Sequence, residues 1–451
     1  AMPMARLTVP QYITVHLGAP DAPAENVRVP FIDYVKNVAS SEIYPTWPEN
    51  ALRANMYAQI SFALNRVYSE WYRSRGYDFD ITSSTRYDQK FVKGRDIFDS
   101  VSKIADEIFN DYIVRQGMVQ PLFAQYCNGT TVTCRGLSQW GTVSLAEEGL
   151  TPYEILQYYY GDDITIVFNA PTAPTLPSYP GFPLKRGSIG EDVRTLQRQL
   201  NRVSRNYPSI RPELALDGYF GANTEQTVKK FQTTFNLDVD GVVGKATWYK
   251  VKAIFNAVKR IADIQSEGLT LSEVDRIFRE LLRLGDTGID VQNLQYYLAV
   301  VAYFDNSIPA PVENGVFDSQ TEAAVRAFQA SEGLREDGIV GRDTWGALIR
   351  RYDTLLASLP DLLGDDAAYV YPGRFLSLGS TGEPVLELQK LINRAAASDP
   401  SIPSVAEDGV YGEETEKAIR VIQQKNGLDV TGVTGLTTGE TVVRLATGKG
   451  T

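Results

Sequence analysis

The chain has 451 residues, of which 43% are hydrophobic and 22% are charged. This composition is ordinary for a soluble globular protein, and the length suggests about three or four domains. The formal net charge of −11 disfavours a nucleic-acid binder, and no apolar run approaches the roughly 18 residues of a membrane span. The first residues, Ala1-Met2-Pro3-Met4, lack the charged-then-apolar pattern of a signal peptide, and export cannot be read from them.

The single histidine, His16, limits the chemistry that the chain can perform. Zinc amidases and endopeptidases use histidines as ligands or proton carriers, and serine triads and cysteine dyads also need one. His16 follows Tyr12 and Thr14 in an alternating pattern that is typical of a β-strand. An enzyme of this composition is therefore expected to use carboxylates, tyrosines or hydroxyls, without a metal or organic cofactor.

Two cysteines, Cys127 and Cys134, are separated by a segment that contains the turn dipeptide Asn128-Gly129 and several β-formers. A hairpin in this segment would bring the two thiols together, so a disulfide is predicted. A reduced core pair is the alternative. A zinc site would need two further ligands, and no histidine lies nearby.

Hydrophobic periodicity predicts an α+β domain over residues 1–167. Residues 8–30 alternate apolar and polar side chains, as β-structure does. A long helix is predicted to begin near Thr46, where Thr46-Trp47-Pro48-Glu49 has the form of a capping box, and to end before Gly76. Two shorter helices are predicted, one over 97–108 and one after Thr151-Pro152.

Residues 168–182 are rich in proline and are predicted to be a linker. Prolines recur at every third position here, which favours a polyproline II spacer between domains. They are Pro171, Pro174, Pro177, Pro180 and Pro183.

Residues 183–254, 281–352 and 374–447 are three copies of one pattern, in which two apolar-Gln pairs alternate with two glycine turns. The pieces are Leu196-Gln197, Asp217-Gly218, Phe231-Gln232 and Asp240-Gly241; Leu294-Gln295, Asn314-Gly315, Phe328-Gln329 and Asp337-Gly338; and Leu388-Gln389, Asp408-Gly409, Ile422-Gln423 and Thr431-Gly432. Apolar stripes predict that each copy is a small all-α, three-helix module. Residues 255–280 are predicted to be a helical linker and residues 353–373 a second linker.

These repeats resemble the peptidoglycan-binding module found at the ends of many cell-wall hydrolases. The resemblance implies binding to the glycan strand or its peptide stem, and a spacer or oligomerisation role is the alternative. The third copy has Thr431 where the others have Asp240 and Asp337, and near Gly439 it lacks the tryptophan of the first two copies. Binding and simple packing therefore both stay open for the third copy.

The N-terminal region resembles the stage II sporulation protein D family, whose members act as lytic transglycosylases on peptidoglycan. Four segments carry the resemblance: Val38-Ala39-Ser40-Ser41-Glu42-Ile43, Pro48-Glu49-Asn50-Ala51-Leu52-Arg53-Ala54, Gly136-Leu137-Ser138-Gln139-Trp140-Gly141, and Tyr153-Glu154-Ile155-Leu156-Gln157-Tyr158-Tyr159-Tyr160-Gly161. Together with the repeats, this domain resembles clostridial spore cortex-lytic enzymes. The chain departs from the family at Ile60 and Ser61, where an arginine and a threonine are usual, and at Arg135, where a histidine is usual.

The resemblance implies that Glu42 is the catalytic acid. Such an acid must stay protonated near neutral pH, and apolar neighbours such as Val38 and Ile43 would raise its pKa by desolvation. Candidate substrate-binding residues, each with a packing role as the alternative, are Gln89, Ser138, Gln139, Tyr159 and Tyr160. Asp80 and Asp88 are the rival carboxylates for a hydrolase, and Trp47 and Trp140 either stack on sugars or pack in the core.

The predicted function is therefore that of a peptidoglycan lytic transglycosylase, located outside the cytoplasm in the spore cortex or cell wall. It would cleave between N-acetylmuramic acid and N-acetylglucosamine, leave a 1,6-anhydromuramic end and degrade cortex during germination. A muramidase-type hydrolase and a non-catalytic wall-binding protein are the alternatives. The expected partners are peptidoglycan and an activating protease, with no nucleic acid.

Overall fold

The computed structural model describes residues 7–211, 213–270, 273, 278, 280–358, 376–428, 430–434 and 436–447. It divides the chain into two compact units. One unit, Leu7–Phe278, holds the N-terminal region and the first repeat. The other holds the second and third repeats. None of the described helices is both long and apolar enough to cross a membrane.

Among the described residues of the N-terminal region, nine short strands form four small sheets. The strands are β1 (Val9–Pro10), β2 (Tyr12–His16), β3 (Asn26–Pro30), β4 (Ile81–Thr82), β5 (Tyr112–Arg115), β6 (Tyr126–Cys127), β7 (Leu137–Ser138), β8 (Ile164–Val167) and β9 (Thr172–Ala173). β2 pairs antiparallel with β3 and parallel with β4, and β5 pairs antiparallel with β8. β1 pairs with β9 and β6 with β7, both parallel.

Five helices complete the mixed α/β region. They are α1 (Phe31–Glu42), α2 (Glu49–Tyr68), α3 (Asp99–Ile108), α4 (Gln139–Glu147) and α5 (Pro152–Tyr160). Helix α2 is buried along almost its whole length and packs against the other four helices and β5. It is therefore the centre of the domain, and it places its polar side chains inside the protein.

The structure corrects two predictions about helix starts. The capping box at Thr46 is wrong, because Pro48 is the N-cap of α2 and no side chain caps that end. A capping box does form at Thr151, whose hydroxyl accepts from Glu154 N–H while the Glu154 carboxylate accepts from Thr151 N–H. The predicted helices also do not include α1, which carries Glu42 at its last position.

The proline-rich segment 168–182 is packed rather than a free spacer. Thr172 and Ala173 form the strand that pairs with β1, and Ala173 is buried. Ser178 is also buried, and both its backbone N–H and its hydroxyl donate to the Glu70 carboxylate. The segment therefore lies against the N-terminal region, and the polyproline spacer interpretation is wrong.

Each repeat contains three α-helices in its described residues. They are α6 (Glu191–Asn206), α7 (Ala222–Thr234) and α8 (Lys245–Val258); α9 (Ile289–Phe304), α10 (Ser319–Ser331) and α11 (Arg342–Ser358); and α12 (Glu383–Ser398), α13 (Glu413–Lys425) and α14 (Leu436–Thr447). The first and third helices pack together in every copy. Among the described residues of the predicted helical linker 255–280, the first four continue α8, which ends at Val258. Most of the linker 353–373 lies outside the described residues.

The repeated Gln and Gly residues form a clasp that occurs twice in every repeat. The Gln197 amide donates to Asp217 Oδ1 at 2.8 Å and accepts from Gly218 N–H at 3.0 Å. Gly218 has φ of 69°, a conformation that favours glycine. The same pair of bonds is made by Gln232, Gln295, Gln329, Gln389 and Gln423. The repeated Gln and Gly residues are therefore explained by their structural role in each repeat.

The third repeat keeps this clasp despite its sequence departure. Thr431 Oγ1 accepts from the Gln423 amide at 3.1 Å and from Val433 N–H at 3.2 Å. These are the two bonds that Asp240 makes in the first repeat, where it accepts from Gln232 and Val242. Thr431 therefore replaces the aspartate in its structural role.

The first repeat is joined to the N-terminal region by buried polar contacts. Lys252 Nζ lies 2.9 Å from the Glu70 carboxylate, and Trp248 Nε1 donates to Ser178 Oγ at 3.0 Å. The Asn256 amide donates to the Ser69 carbonyl at 2.8 Å. These side chains are all buried, so the repeat and the N-terminal region form one packed body.

Candidate active site

Glu42 is the last residue of α1, and its side chain is half-buried. The helix dipole disfavours a negative charge at a helix C-terminus, so an ionised carboxylate at this position destabilises the fold. The next residue, Ile43, is buried, and Tyr44 is 56% exposed. Glu42 therefore lies where the chain passes from the core to the surface.

Three donors hold the carboxylate. Gln59 Nε2 and Tyr126 Oη donate to Oε2 at 2.9 Å and 2.6 Å, and the Lys90 backbone N–H donates to Oε1 at 2.7 Å. The two side-chain donors are neutral, so no ion pair fixes the carboxylate in its charged form. Oε1 accepts a single described hydrogen bond, which leaves a lone pair for a proton.

Burial raises the pKa of Glu42, and the hydrogen bonds from Lys90, Tyr126 and Gln59 oppose the rise. The net direction is upward, as a general acid requires. Burial and the neighbouring Glu42 charge also raise the pKa of Tyr126 well above its ordinary value, so the phenol stays a donor. The site therefore contains a carboxyl group biased towards its neutral form, beside a neutral phenol.

Gln89 lies in the protein interior and hydrogen-bonds to the residues that contact Glu42. It is fully buried, so it does not line the groove as the sequence interpretation suggested. Its amide donates to Tyr126 Oη and to the Gln59 carbonyl, both at 3.0 Å, and accepts from Tyr34 Oη at 2.8 Å. Gln89 thus fixes Tyr126 and the backbone of Gln59, the two residues whose side chains donate to Glu42.

Ser138, Gln139, Tyr159 and Tyr160 form a packed corner of the domain. Ser138 Oγ accepts from Gly141 N–H at 3.0 Å as the N-cap of α4, and it is also hydrogen-bonded to the Tyr159 phenol. Gln139 is buried, and the buried Tyr160 donates to the Gln125 carbonyl at 2.9 Å. Gln139 and Tyr160 therefore occupy buried packing positions, whereas Ser138 and Tyr159 are half-buried. A substrate-binding role for these four residues stays a prediction.

Close packing explains the two glycines of the segment Gly136-Leu137-Ser138-Gln139-Trp140-Gly141. A Cβ on Gly136 would lie 1.7 Å from the Gln125 carbonyl oxygen. A Cβ on Gly141 would lie 2.1 Å from the Tyr159 hydroxyl. Both positions exclude larger residues, and the segment thereby holds Trp140 in place at the start of α4.

Tyr44, Trp47 and Trp140 form an aromatic cluster, and the first two follow Glu42 closely in the chain. Its ring centroids are 5.6 Å apart for Tyr44 with each tryptophan and 4.8 Å apart for the two tryptophans. Trp47 is buried, whereas Trp140 is 43% exposed and Tyr44 more so. An exposed aromatic patch of this kind is typical of a binding surface.

The rival carboxylates are fully engaged elsewhere. The Asp88 side chain is completely buried, and its carboxylate accepts from Arg66, Tyr72 and Thr82. Asp80 accepts from Arg73 Nε at 2.7 Å and from Thr14 N–H at 2.8 Å. Neither is among the described hydrogen-bond partners of Glu42.

His16 and the cysteines have structural roles. His16 is buried, its ring is hydrogen-bonded to Asn26 and to the Ala22 carbonyl, and it stacks on Phe79. The structure joins Cys127 and Cys134 in a disulfide. Within the described part of the chain, no group of three or more His, Cys, Asp or Glu residues could hold a metal ion.

Sequence reasoning missed Gln59 and Tyr126, the two side chains that contact Glu42. Gln59 precedes Ile60, which departs from the family pattern, and lies four residues after Asn55 on the same helical face. Two polar residues at this spacing inside an apolar helix are a signal of a buried polar site. Tyr126 had no local signal, because only the fold brings it to α1.

The three repeats match the family model described as "Putative peptidoglycan binding domain", at residues 189–251, 287–348 and 381–441. This confirms the resemblance for all three copies, including the third. The sporulation protein D resemblance of the N-terminal region stays a prediction.

Curated relatives match parts of the chain. N-acetylmuramoyl-L-alanine amidase CwlL of Bacillus licheniformis is 30% identical over 162 residues, which are 36% of this chain and 43% of that protein. Zinc D-Ala-D-Ala carboxypeptidase of Streptomyces albus G is 44% identical over 68 residues, 15% of this chain and 25% of that protein. N-acetylmuramoyl-L-alanine amidase CwlM of Mycobacterium tuberculosis is 28% identical over 161 residues, 35% of this chain and 36% of that protein. The chain thus spans less than half the length of each.

A solved peptidoglycan-binding protein from Clostridioides difficile, in complex with glutamine hydroxamate, is 27% identical. The match covers 20% of this chain and 51% of that one, with a TM-score of 0.15.

Proposed function

We propose that this protein cleaves peptidoglycan glycan strands as a lytic transglycosylase, with Glu42 as its acid and base. The observation that carries the proposal is the setting of Glu42. Its carboxyl group is half-buried at a helix C-terminus, is held by neutral side-chain donors and has a raised pKa. The resemblance of the surrounding segments to the sporulation protein D family supports the same assignment.

The reaction needs a single carboxyl group. Protonated Glu42 gives its proton to the glycosidic oxygen as the bond from that oxygen to the muramic anomeric carbon breaks. The resulting carboxylate takes the proton from the muramic 6-hydroxyl, whose oxygen then bonds to the anomeric carbon and closes the anhydro ring. Because the nucleophile is part of the substrate, proximity replaces the second carboxylate of a hydrolase.

The neighbours of Glu42 suit both stages of this reaction. Gln59, Tyr126 and the Lys90 N–H are already oriented to stabilise the carboxylate that forms. Gln59 Oε1 is buried and has no described hydrogen-bond partner, so rotation of the amide offers an acceptor to the protonated acid. Gln59 can therefore serve either protonation state.

The repeats supply attachment to the polymer. Three matches to a peptidoglycan-binding family model favour peptidoglycan as the partner and a location outside the cytoplasm, in the cell wall or the spore cortex. Linked weak sites raise the local concentration of the catalytic domain on an insoluble substrate. The curated relatives, two of which are named amidases, also favour an enzyme of peptidoglycan.

The test is mass spectrometry of the products released from purified vegetative peptidoglycan and from spore cortex. The wild type, Glu42→Gln and Glu49→Gln are compared. Glu49 is an exposed glutamate in the same domain, paired with Arg53, and its substitution controls for the loss of one carboxylate. We expect anhydromuramic ends from the wild type and the control, and none from Glu42→Gln.

Other products would identify the alternatives. Reducing muramic ends would indicate a muramidase-type hydrolase, and free peptide stems would indicate an amidase. Wall binding without any released product, with or without added protease, would indicate a non-catalytic binding protein. Release from cortex alone would support a role in germination.

A further inference from the structure

A chain of hydrogen bonds joins the two ends of α1 through the protein interior. Tyr34, near the start of α1, donates its hydroxyl proton to Gln89 Oε1 at 2.8 Å. Gln89 Nε2 donates to Tyr126 Oη at 3.0 Å, and Tyr126 Oη donates to Glu42 Oε2 at 2.6 Å. Tyr34 and Gln89 are fully buried, so these bonds lie in a medium where hydrogen bonds strengthen one another.

The Gln59 backbone carbonyl fixes the orientation of the Gln89 amide. Gln89 Nε2 donates to that carbonyl at 3.0 Å. Exchange of the amide oxygen and nitrogen would place Gln89 Oε1 against the Gln59 carbonyl oxygen, and two acceptors repel each other. It would also turn the amide N–H groups away from Tyr126. The orientation therefore follows from the neighbours of the amide, which uses both of its N–H bonds as donors.

This orientation determines where the Tyr126 hydroxyl proton points. A phenol has one proton to donate, and its oxygen can also accept. Because Gln89 Nε2 can only donate, Tyr126 Oη accepts from it, and the phenol proton remains for Glu42 Oε2. An exchanged amide would instead present Gln89 Oε1 to Tyr126, and that oxygen would compete with Glu42 for the same proton. The Gln89 amide thus decides which acceptor receives the proton.

We propose that Gln89 and Tyr34 are positioning residues that direct the Tyr126 hydroxyl proton to Glu42. Neither is among the described hydrogen-bond partners of the Glu42 carboxylate, so both act through Tyr126. The bond from Gln89 also opposes the rise in the pKa of Tyr126 that burial causes, which makes the phenol a stronger donor. The consequence for cleavage rests on the proposed function, because it assumes that Glu42 is the acid.

The titratable and charged groups around this chain come from several elements. They are Tyr34 on α1, Arg66 on α2, Tyr72 after α2, Asp88 and Lys90 in the segment after β4, and Tyr126 on β6. Arg66 pairs with Asp88 at 2.8 Å, so this pair contributes little net charge. Lys90 lowers the pKa of Glu42 and is unchanged in every variant below. No charged residue of α2 or α3 is among the described hydrogen-bond partners of Glu42.

The experiment measures the titration of Glu42 in the full chain by carbon-13 NMR, with glutamate labelled at its side-chain carboxyl carbon. The Glu42 signal is the one that is missing from Glu42→Gln. The variants are Gln89→Met, Tyr34→Phe, Tyr126→Phe and the double variant that combines Gln89→Met with Tyr126→Phe. Methionine is unbranched and flexible, so it can fill the space of the glutamine without its amide.

Two control variants correct for the loss of a polar group inside the same domain. Gln120→Met changes another buried glutamine, whose Nε2 has no described hydrogen-bond partner. Tyr153→Phe removes a phenol that donates to the Ile164 carbonyl at 2.7 Å. Neither residue is among the described hydrogen-bond partners of Glu42 or Tyr126. Both controls should leave the Glu42 titration unchanged.

Gln89→Met should raise the midpoint of the Glu42 titration by about half a pH unit, the size expected when a hydrogen bond to a charged group is weakened. Tyr126→Phe should raise it more. The double variant should raise it no further than Tyr126→Phe does, because Gln89 acts through Tyr126. Tyr34→Phe should give the smallest rise, and the descending limb of the pH–rate profile should move in the same order.

An unmoved Glu42 midpoint in Gln89→Met, or a shift that adds fully to that of Tyr126→Phe, would overturn the proposal. If Gln89→Met does not fold, Tyr34→Phe is combined with Tyr126→Phe and decides the same question. This failure is distinguishable from failure of the proposed function, because the titration needs no cleavage. The expected shifts without any released product would leave the positioning role standing and remove the reaction, whereas cleavage with an unmoved midpoint would remove the positioning role alone.

Discussion

Two glutamates at helix ends in the N-terminal region, Glu42 and Glu70, show opposite electrostatics. Glu42 is held by Gln59, Tyr126 and a backbone N–H, and burial raises its pKa. Burial would also raise the pKa of Glu70, but the Lys252 ammonium and the Ser178 hydrogen bonds hold it below its ordinary value.

The comparison teaches that the charge of the partner, rather than burial, separates a chemical site from a structural one. A buried carboxylate with an ammonium partner stays ionised and joins two parts of the fold. One with neutral partners keeps its proton to a higher pH than a free glutamate does. The first four of five predictions test whether this distinction holds, and the fifth concerns the aromatic cluster.

The largest expected effect is on catalysis. Glu42→Gln should lower the cleavage rate by about a hundred- to ten-thousand-fold, since it removes the transferred proton. Glu70→Gln should leave the rate of the folded protein unchanged, because Glu70 joins the first repeat to the domain. Muropeptide release, normalised to folded protein by circular dichroism, measures both. Equal losses in the two variants would contradict the distinction.

The next effect is on stability. Lys252→Met leaves Glu70 buried without its cation and should destabilise the Leu7–Phe278 unit by about 3 kcal/mol. Hydrogen exchange of α8 and the end of α2 measures this, because global unfolding of a multidomain chain is not two-state. Lys245→Met, an exposed substitution at the start of the same helix, is the control and should have little effect.

The same junction should be sensitive to acid. Because the pKa of Glu70 is lower in the folded state, its stabilising contribution is fully present above the unfolded pKa of about 4.3 and is lost as the pH falls through the folded value. Protection of α8 against exchange should therefore fall with pH in the wild type. In Lys252→Met this loss of protection should disappear, and persistence of the full pH dependence would contradict the assigned pair.

A smaller effect is expected at Tyr126. Tyr126→Phe removes a donor that lowers the pKa of Glu42, so the pKa should rise further. The cleavage rate falls where Glu42 ionises, so the descending limb of the pH–rate profile should move to higher pH. The maximal rate should drop about tenfold, because a preorganised donor to the product carboxylate is lost. Tyr160→Phe, a buried tyrosine bonded to Gln125, should leave the limb unmoved.

The smallest effect concerns the aromatic cluster. Trp140→Ala should raise the KM for soluble glycan fragments by about tenfold and leave kcat nearly unchanged, because an exposed ring contributes to binding before and during reaction. Tyr158→Ala removes another exposed aromatic of the same domain and is the control. A fall in kcat with unchanged KM would contradict a binding role for Trp140.

The sequence allowed the repeats and the candidate acid to be found, but not the acid's partners. The hydrophobic periodicity and the Gln and Gly residues lie within each repeat, so they could be recognised from the sequence without a structure. The contacts of Glu42 join α1, α2 and β6, and such long-range contacts leave no local pattern. The contact between Ser178 and Glu70 could not be predicted for the same reason. Proline spacing predicts the local backbone conformation, but it does not predict which parts of the fold pack against the segment.

The measurement that tests the central claim most directly is digestion of peptidoglycan by the wild type in water enriched in heavy oxygen. If Glu42 transfers protons to and from the substrate while the muramic 6-hydroxyl attacks, the anhydromuramic products should contain no oxygen from the solvent. Heavy oxygen at a new reducing muramic end would contradict this account, because water would then be the nucleophile.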